Sequence, residues 1–329
     1  MDNTEQGSIA SRYQSLSSTR ETFLERARES SELTLPFLVP PSGHSDATRY
    51  PTPFQGIGAR GVNNLASKLL LALVPPNAPF FRLAVNDFVL KDMEQDKPLK
   101  TDVEKALGEV ERAVMSEVEM SADRVQIFEA LKHLIVSGNC LLVVEDDGTR
   151  LFPLERFVIK RDPMGNVLDI ITKESLSPKS LPEDVAELVQ AQIGGDEKTV
   201  DIFTHVCKKG KNFEVMQEIK GIIIPDSVGK FPVEKSPYIP LRMSSISQED
   251  YGRGFVEQYL GDLRSLEGLT RAIVEGSSAS SKVLFMVSPN GTTRASHLAQ
   301  SPNGAIVEGS ANDVSVLQVN KLGDFRIAY

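Results

Sequence analysis

The chain has 329 residues, of which 40% are hydrophobic and 25% are charged, and its formal net charge is −9. This composition is ordinary for globular proteins, and it excludes a chain that is disordered throughout or a collagen-like polymer. The negative balance argues against a broad basic surface that grips nucleic-acid phosphates, although it is compatible with a protein that lets nucleic acid pass without holding it.

The N-terminal part of the chain is predicted to be mostly helical. Apolar residues over positions 1–30 are spaced as on one amphipathic helix, which the prolines from Pro36 onward end. Gln55–Val74 is the next predicted helix, because its apolar positions recur with helical spacing and two prolines follow it. The run Phe80–Val85 predicts a short strand.

Two further helices are predicted before residue 139. Thr101 and Glu104 match a capping box, T-x-x-E, which places a helix start at this point. The apolar stripe of this helix is Val103, Leu107, Val110, Val114 and Val118. Asp123 is expected to cap the next helix, which Gly138 ends.

After Asn139 the pattern changes to short, β-branched or alternating runs separated by turn residues. The predicted strands are Cys140–Val144, Arg156–Lys160, Val167–Thr172, Thr199–Val206, Phe213–Ile219 and Tyr238–Met243. One short helix over Pro182–Ile193 interrupts them, and Pro237 and Pro240 place the last strand at a sheet edge. The predicted fold class is therefore α+β, with a mixed β region inserted after helices.

The longest helical pattern covers Gly252–Val283, which would extend for about 45 Å. Its apolar stripe is Phe255, Tyr259, Leu263, Leu266 and Ile273. Gly254, Gly261 and Gly268 recur every seven residues, and each costs up to about 1 kcal/mol relative to alanine inside a helix. Close approach of a neighbouring helix would explain this spacing, and a solvent-facing side without packing demands is the alternative.

Short strands and turns return after this helix. They are predicted over residues 284–291, 304–310 and 313–319, and Asp324–Tyr329 is predicted to begin another helix. The chain also has two cysteines, Cys140 and Cys207, which we expect to be reduced because a chain of this length needs no disulfide. With a polar N-terminus and no apolar run near the length of a membrane span, the sequence predicts a soluble protein in a reducing cytoplasm.

No motif forms a catalytic constellation. Gly56-x-Gly58-x-x-Gly61 matches the dinucleotide-binding fingerprint, but the preceding residues make a poor strand, so tight packing at a helix start is the favoured interpretation. The histidines are scattered, without metal-ligand spacing to each other or to a cysteine. We expect no catalytic residues, no cofactor and no metal, with a nucleotide-binding enzyme built on Gly56–Gly61 as the alternative.

Several strings resemble the head-to-tail connector, or portal, proteins of short-tailed, T7-like bacteriophages. The matching strings are Gln55–Leu69, Phe128–Lys132, Arg161-Asp162 with Gly165–Leu168, Tyr238–Met243, Tyr251-Gly252-Arg253 with Tyr259–Glu267, and Ser280–Val283. They keep their order and spacing from about residue 9 to the end. On this resemblance the chain is identified as a member of that family.

The resemblance implies a homo-oligomeric ring, usually of twelve subunits, at one vertex of the capsid in the virion, assembled in the host cytoplasm. Double-stranded DNA would pass through the ring without sequence specificity during packaging and ejection. The implied partners are a terminase motor, a tail adaptor protein, and capsid and scaffolding proteins, with no membrane and no catalysis by the ring itself.

The resemblance also assigns the segments. Residues 1–250 would form the peripheral wing, 251–283 the first stem helix, 284–321 the clip, and 322–329 the start of a truncated second stem helix. The residues that would lie between subunits are Gly254, Tyr259, Gly261, Leu263, Arg264, Gly268 and Arg271. The residues that would dock terminase and tail are Ser288, Asn290, Arg294 and His297. Family members are considerably longer, so we expect this chain to assemble poorly by itself, and the alternative is a partial portal fragment without independent assembly.

Overall fold

The structure, a computed structural model, describes most of the chain. The described residues are 8–45, 47–76, 78–85, 97–189, 198–280, 283–301, 306 and 308–318. The chain divides into two compact units, residues 1–263 and residues 264–329. The division falls inside the long helix near the C-terminal end of the sequence.

The helices of the first unit follow the predicted order, with two differences at their starts. They are α1 (Ile9–Glu32), α2 (Ile57–Leu73), α3 (Lys97–Met120), α4 (Asp123–Ser137) and α5 (Glu183–Val189). The capping-box prediction is wrong, because Thr101 lies inside α3 rather than at its start. Asp123 is the first residue of α4 and not its cap, and its carboxylate instead accepts the backbone N–H of Thr149 at 2.7 Å.

The strand predicted over Phe80–Val85 does not form. These residues are irregular, and the backbone N–H of Leu83 donates to Oε1 of Glu111 on α3 at 2.5 Å. A side chain therefore supplies an acceptor that a partner strand would otherwise have provided. The sequence pattern was compatible with a strand, but no neighbouring strand pairs with this segment among the described residues.

Two antiparallel sheets and a small ribbon make up the β part of the first unit. The strands are β1 (Asn139–Glu145), β2 (Gly148–Pro153), β3 (Phe157–Arg161), β4 (Val167–Leu176), β5 (Val200–Lys209), β6 (Asn212–Ile219), β7 (Ile222–Ile223), β8 (Gly229–Pro232), β9 (Tyr238–Arg242), β10 (Ser244–Ser245) and β11 (Gly252–Arg253). The smaller sheet has the order β2–β1–β9, the larger has the order β3–β4–β5–β6–β7 with β8 also on β6, and β10 pairs with β11. The six predicted strands and the edge position of β9 are confirmed. The fold class is α+β.

Helix α1 closes the main core by packing on both sheets. Its Leu24 and Ala27 belong to the same buried cluster as Leu141 of the smaller sheet and Ile170 of the larger sheet. A second buried cluster holds α2 against α4, with Val62 of α2 among its members. Burial of each large aliphatic side chain contributes about 1.5–3 kcal/mol, so these two clusters hold the helices on the sheets.

Two buried carboxylates hold the N-terminal turns of α1 on the larger sheet. Glu218 of β6 accepts the backbone N–H of Ile9 at 2.6 Å and the hydroxyl of Ser8 at 2.5 Å, which satisfies donors at the positive end of the helix dipole. Asp169 of β4 accepts from the Arg12 guanidinium and lies 3.0 Å from Nε2 of His205. Burial alone would raise the pKa of Asp169, but the hydrogen bonds from His205 and Arg12 outweigh it and lower the pKa.

A close backbone contact, here named the joint, connects residues 136–139 to residues 252–254. A Cβ atom added to Gly254 would lie 2.3 Å from the carbonyl oxygen of Val136, a distance that no side chain tolerates. The Asn139 side chain exchanges two hydrogen bonds with Gly252, donating from Nδ2 at 2.8 Å and accepting at Oδ1 at 2.6 Å. Gly138 ends α4 with a φ of 75°, as the sequence predicted.

The long helix is shorter than predicted. Helix α6 (Leu260–Ser280) begins after β11 and a 3₁₀ turn over Val256–Tyr259, so its start at Gly252 was wrong. Gly254 therefore lies outside the helix and does not share a helical stripe with Gly261 and Gly268. The joint explains this glycine by a contact inside the chain.

The second unit contains most of α6 and a small β ribbon. Strand β12 (Val283–Val287) pairs antiparallel with β13 (Val314–Gln318), and a short helix, α7 (Ala295–Gln300), lies between them in sequence. The strands predicted within 284–291 and 313–319 are confirmed. The run 304–310 is not a strand at its described positions, 306 and 308–310. The helix predicted over Asp324–Tyr329 lies outside the described residues.

We predict that Glu218→Gln destabilises the chain by about 1–3 kcal/mol, because one acceptor oxygen at the start of α1 becomes a donor. The free energy of unfolding in urea measures this loss. Glu187→Gln, on the exposed side of α5, is the matched control and should change stability by no more than about 0.5 kcal/mol. Equal effects of the two substitutions would contradict the assigned role of Glu218.

Gly254→Ala and Gly61→Ala should act in opposite directions. The first places a methyl group against the backbone of Val136 and should cost about 1–3 kcal/mol or more. The second adds a Cβ inside α2 where nothing lies within 4 Å, so it should stabilise by up to about 1 kcal/mol through helix propensity. Thermal unfolding of both variants beside the unchanged chain tests the joint, and a neutral Gly254→Ala would refute it.

Burial of His133 should make the free energy of unfolding depend on pH. Burial in α4 lowers the pKa of His133 from 6.5 to about 4, so between these values the unfolded chain binds more protons than the folded chain. Above pH 6.5, His133 does not lower the free energy of unfolding. As the pH falls from 6.5 toward 4, the free energy of unfolding decreases by about 3 kcal/mol. His133→Leu should remove this part of the pH profile, whereas His44→Leu in an exposed loop should leave it unchanged; parallel profiles for all three proteins would contradict it.

Candidate subunit interface

Helix α6 leaves much of its surface uncovered. Leu269 is 57% exposed and Val274 is 48% exposed, although both are large and apolar. Gly261 and Gly268 have nothing within 4 Å of the position that a Cβ would occupy. With a seven-residue spacing the two glycines lie on one side of the helix, and this glycine face has room for the close approach of another helix.

The charged residues predicted for the interface lie near the glycine face. Arg264 and Arg271 are exposed on α6 and are seven residues apart, as the glycines are. Arg271 donates from Nε to Glu275 at 2.8 Å, four residues further along the helix. Such exposed pairs contribute little to stability, so an approaching surface could replace the Arg271–Glu275 pair at small cost.

Tyr259 and Leu263 line an apolar groove of about 280 Å³, here named the α2 groove. Its other walls come from α2, α4 and the segment before α6. The lining residues are Thr34, Ile57, Gly58, Gly61, Val62, Leu65, Ile135, Phe255, Val256, Tyr259 and Leu263. The sequence analysis placed Tyr259 and Leu263 at the subunit interface but included no residue of α2. The i, i+4 spacing of Ile57 and Gly61 could have indicated that α2 also lines this groove.

The fingerprint Gly56-x-Gly58-x-x-Gly61 serves helix capping and packing. A Cβ on Gly58 would lie 2.3 Å from the carbonyl oxygen of Leu33, and the Gln55 side chain bridges the two segments by bonding to Leu33 O and Gly58 N–H. No strand leads into this helix within residues 47–56, whereas the dinucleotide motif requires one. Tight packing is confirmed for Gly58, but Gly61 faces open space.

Neither cysteine lines the α2 groove. The thiols of Cys140 and Cys207 are free and buried, and burial raises the pKa of Cys140 to about 12. In the part of the chain that the structure describes, no three His, Cys, Asp or Glu side chains are grouped to hold a metal ion. No helix of that part is both long and apolar enough to cross a bilayer.

The residues predicted to dock other proteins lie in the connection between β12 and β13 of the second unit. Ser288 directly follows β12, and Asn290 and Arg294 are exposed on the same loop, whereas His297 lies within α7. Asp313 holds this loop, since its carboxylate accepts the backbone N–H of Thr292 at 2.8 Å. Hydrogen bonds from the backbone of Thr293 and from Thr292 lower the pKa of Asp313.

The glycine face of α6 and the apolar α2 groove are both surfaces that the described residues leave uncovered. The family described as bacteriophage head to tail connecting protein matches residues 6–329, and the chain belongs to this family. It is 40% identical over 327 residues to the portal protein of Escherichia phage T7 and 39% identical over 326 residues to that of Enterobacteria phage T3.

These alignments cover most of this chain but only part of each relative. They include 96% of this chain and 61% of the T7 and T3 proteins. The portal protein of Enterobacteria phage SP6 is 28% identical over 317 residues, with 95% of this chain and 61% of the relative covered. The chain thus spans about three fifths of the length of these relatives.

Proposed function

We propose that this chain is a subunit of a portal ring at one capsid vertex of a short-tailed bacteriophage, through which double-stranded DNA passes during packaging and ejection. The observation that carries the proposal is the family match over nearly the whole chain, together with relatives of about 40% identity that are named portal proteins. The ring itself would carry out no catalysis. It would be assembled in the host cytoplasm and retained in the virion.

The exposed surfaces of α6 support a ring. The glycine face and the side that carries Leu269 are different parts of the same helix. If one side of α6 contacts one neighbouring subunit and the other side contacts the other neighbour, each contact joins two different surfaces. Such head-to-tail contacts close into a ring when the rotation between successive subunits permits it. We assign α6 to the first stem helix, the preceding residues up to 250 to the wing, and residues 284–321 to the clip. Twelve copies is the expected number.

Charge supports the passage of DNA without tight binding. The net charge of −9 gives a weakly repulsive surface to a polyanion, so DNA phosphates would slide past rather than be held. The loop with Ser288, Asn290 and Arg294, and α7 with His297, would present the docking surface for the terminase motor and a tail adaptor. Capsid and scaffolding proteins would contact the ring at other surfaces.

Electron microscopy of the purified chain, with its solution mass, tests the ring. We expect rings with a central hole, and we expect Gly268→Leu to weaken assembly at least 10-fold while circular dichroism remains unchanged, because the leucine fills the space for the neighbouring helix. Glu187→Leu adds the same side chain to another exposed helix and should leave assembly intact. A monodisperse monomer at all concentrations would contradict assembly by this chain and favour a partial portal that does not assemble alone.

A further inference from the structure

One stretch of this acidic chain is free of carboxylates. From Ala47 to Asn86 it contains Arg49, Arg60, Lys68 and Arg82 but no Asp or Glu. Helix α2 lies inside this stretch. Its solvent-facing side therefore carries positive charges with no carboxylate nearby in the sequence, which suits a partner of opposite charge.

The exposed side of α2 combines apolar and basic residues in one row, here named the α2 stripe. It consists of Ile57, Arg60, Gly61, Asn64, Lys68 and Leu71, which follow each other at helical spacing and are all exposed. Ile57 and Leu71 are both 55% exposed. Arg60 donates only to the carbonyl oxygen of Gly56 in its own helix, and neither it nor Lys68 forms an ion pair with a described residue. The stripe borders the α2 groove at Ile57 and Gly61.

Helix α3 carries a row of the opposite character, here named the α3 stripe. It consists of Ala106, Val110, Ala113, Val114 and Glu117, all exposed, with Glu109 along one edge. The sequence predicted Val110 and Val114 on the buried side of the helix, but they are 49% and 42% exposed. Glu109 and Glu117 form no ion pair with any residue of the described ranges.

The two stripes match in charge and in spacing. Arg60 and Lys68 are eight residues apart, and so are Glu109 and Glu117, which separates each pair by about 12 Å along its helix. Gly61 and Asn64 lie between the charges of the α2 stripe, and Val110, Ala113 and Val114 lie between those of the α3 stripe. Gly61, with open space at its Cβ position, lets a facing helix come close to the α2 groove.

We propose that the α3 stripe of one copy of this chain packs on the α2 stripe of the next copy, with Val110 and Val114 beside the α2 groove and the two carboxylates opposite Arg60 and Lys68. This inference rests on the proposed ring. The contact would be a second interface between subunits, in addition to the glycine face of α6. Because the two stripes are different surfaces of one chain, the contact is head-to-tail, as a ring requires.

A second copy fits the α2 stripe better than nucleic acid does. Phosphate groups would pair with Arg60 and Lys68, but they would not bury Ile57, Leu71 and the apolar groove, so this apolar surface would contribute nothing to the binding. The α3 stripe satisfies both the charges and the apolar surface. Nucleic-acid binding is therefore an outcome that the test must separate.

Charge reversal on the full chain tests the pairing. We expect that Arg60→Glu with Lys68→Glu, or Glu109→Lys with Glu117→Lys, weakens self-association at least 10-fold in sedimentation velocity. The fourfold variant should recover it, because each contact then again joins opposite charges, whether the helices run parallel or antiparallel. Arg49→Glu with Lys179→Glu, and Glu119→Lys with Glu187→Lys, all at exposed positions, are the double-reversal controls of equal charge change. Failure of the fourfold variant to recover association would overturn the pairing.

Disulfide formation between copies tests proximity without requiring a closed ring. Asn64 and Val114 lie near the middle of the two stripes, so a mixture of Asn64→Cys and Val114→Cys chains should form a mixed disulfide at least 10-fold faster than Met164→Cys mixed with Val114→Cys. The native cysteines are buried. Equal rates would overturn the inference.

The outcomes separate this inference from the proposed ring. Rings that form without the mixed disulfide and without sensitivity to charge reversal would leave the portal proposal intact and refute the α2–α3 contact. Mixed disulfides without rings would support the contact and contradict the ring. If reversal at Arg60 and Lys68 abolishes binding of duplex DNA but leaves self-association unchanged, the stripe is a nucleic-acid surface and the inference is wrong.

Discussion

The joint between residues 136–139 and 252–254 holds the backbone that precedes α6 against the end of α4. Backbone meets backbone there, since a Cβ at Gly254 would lie 2.3 Å from the Val136 carbonyl oxygen. Asn139 completes the contact by satisfying both backbone groups of Gly252, which would otherwise be buried without partners. The smaller sheet, the end of α4 and the entry to α6 are therefore held at one point that tolerates little change in volume.

Helix α1 stabilises the rest of the first unit by apolar packing and by hydrogen bonds. Helix α1 joins the two sheets, its apolar side through Leu24 and Ala27 and its N-terminal turns through Glu218 and Asp169. Buried carboxylates are costly unless they are fully hydrogen-bonded, and here they face backbone N–H groups or a guanidinium. Packing and hydrogen bonds thus fix α1 on the sheets of the first unit, while α2 and α3 keep surfaces that no described residue covers.

These uncovered surfaces connect the fold to assembly. Ile57 and Leu71 on α2, Val110 on α3 and Leu269 on α6 are large, apolar and about half exposed. Contacts with neighbouring copies in the proposed ring would bury them. In a portal ring the stem contact through α6 and the contact through α2 and α3 would act together, so that each subunit is held at two positions.

Much of the architecture and the family could be predicted from the sequence, because local patterns determine them. Hydrophobic periodicity and proline positions predicted α1, α2 and the strands, and the ordered strings predicted the family. Two errors arose where a distant partner competed with a local signal: Phe80–Val85 has an acceptor on Glu111 instead of a partner strand, and Gly254 serves the joint rather than a helical stripe. Thr101 matches a capping box but lies inside α3, because this helix already begins at Lys97.

The features of the candidate interface also divide into those that the sequence determines and those that depend on the tertiary structure. The sequence by itself determined that Gly261 and Gly268 repeat on one helix and that Ala47–Asn86 lacks carboxylates, since these are properties of spacing and composition. Only the tertiary structure decided which apolar residues remain exposed, such as Val110, and which helices frame the groove beside Tyr259. Exposure depends on which segments pack together across long separations in sequence, and hydrophobic periodicity alone does not specify those partners.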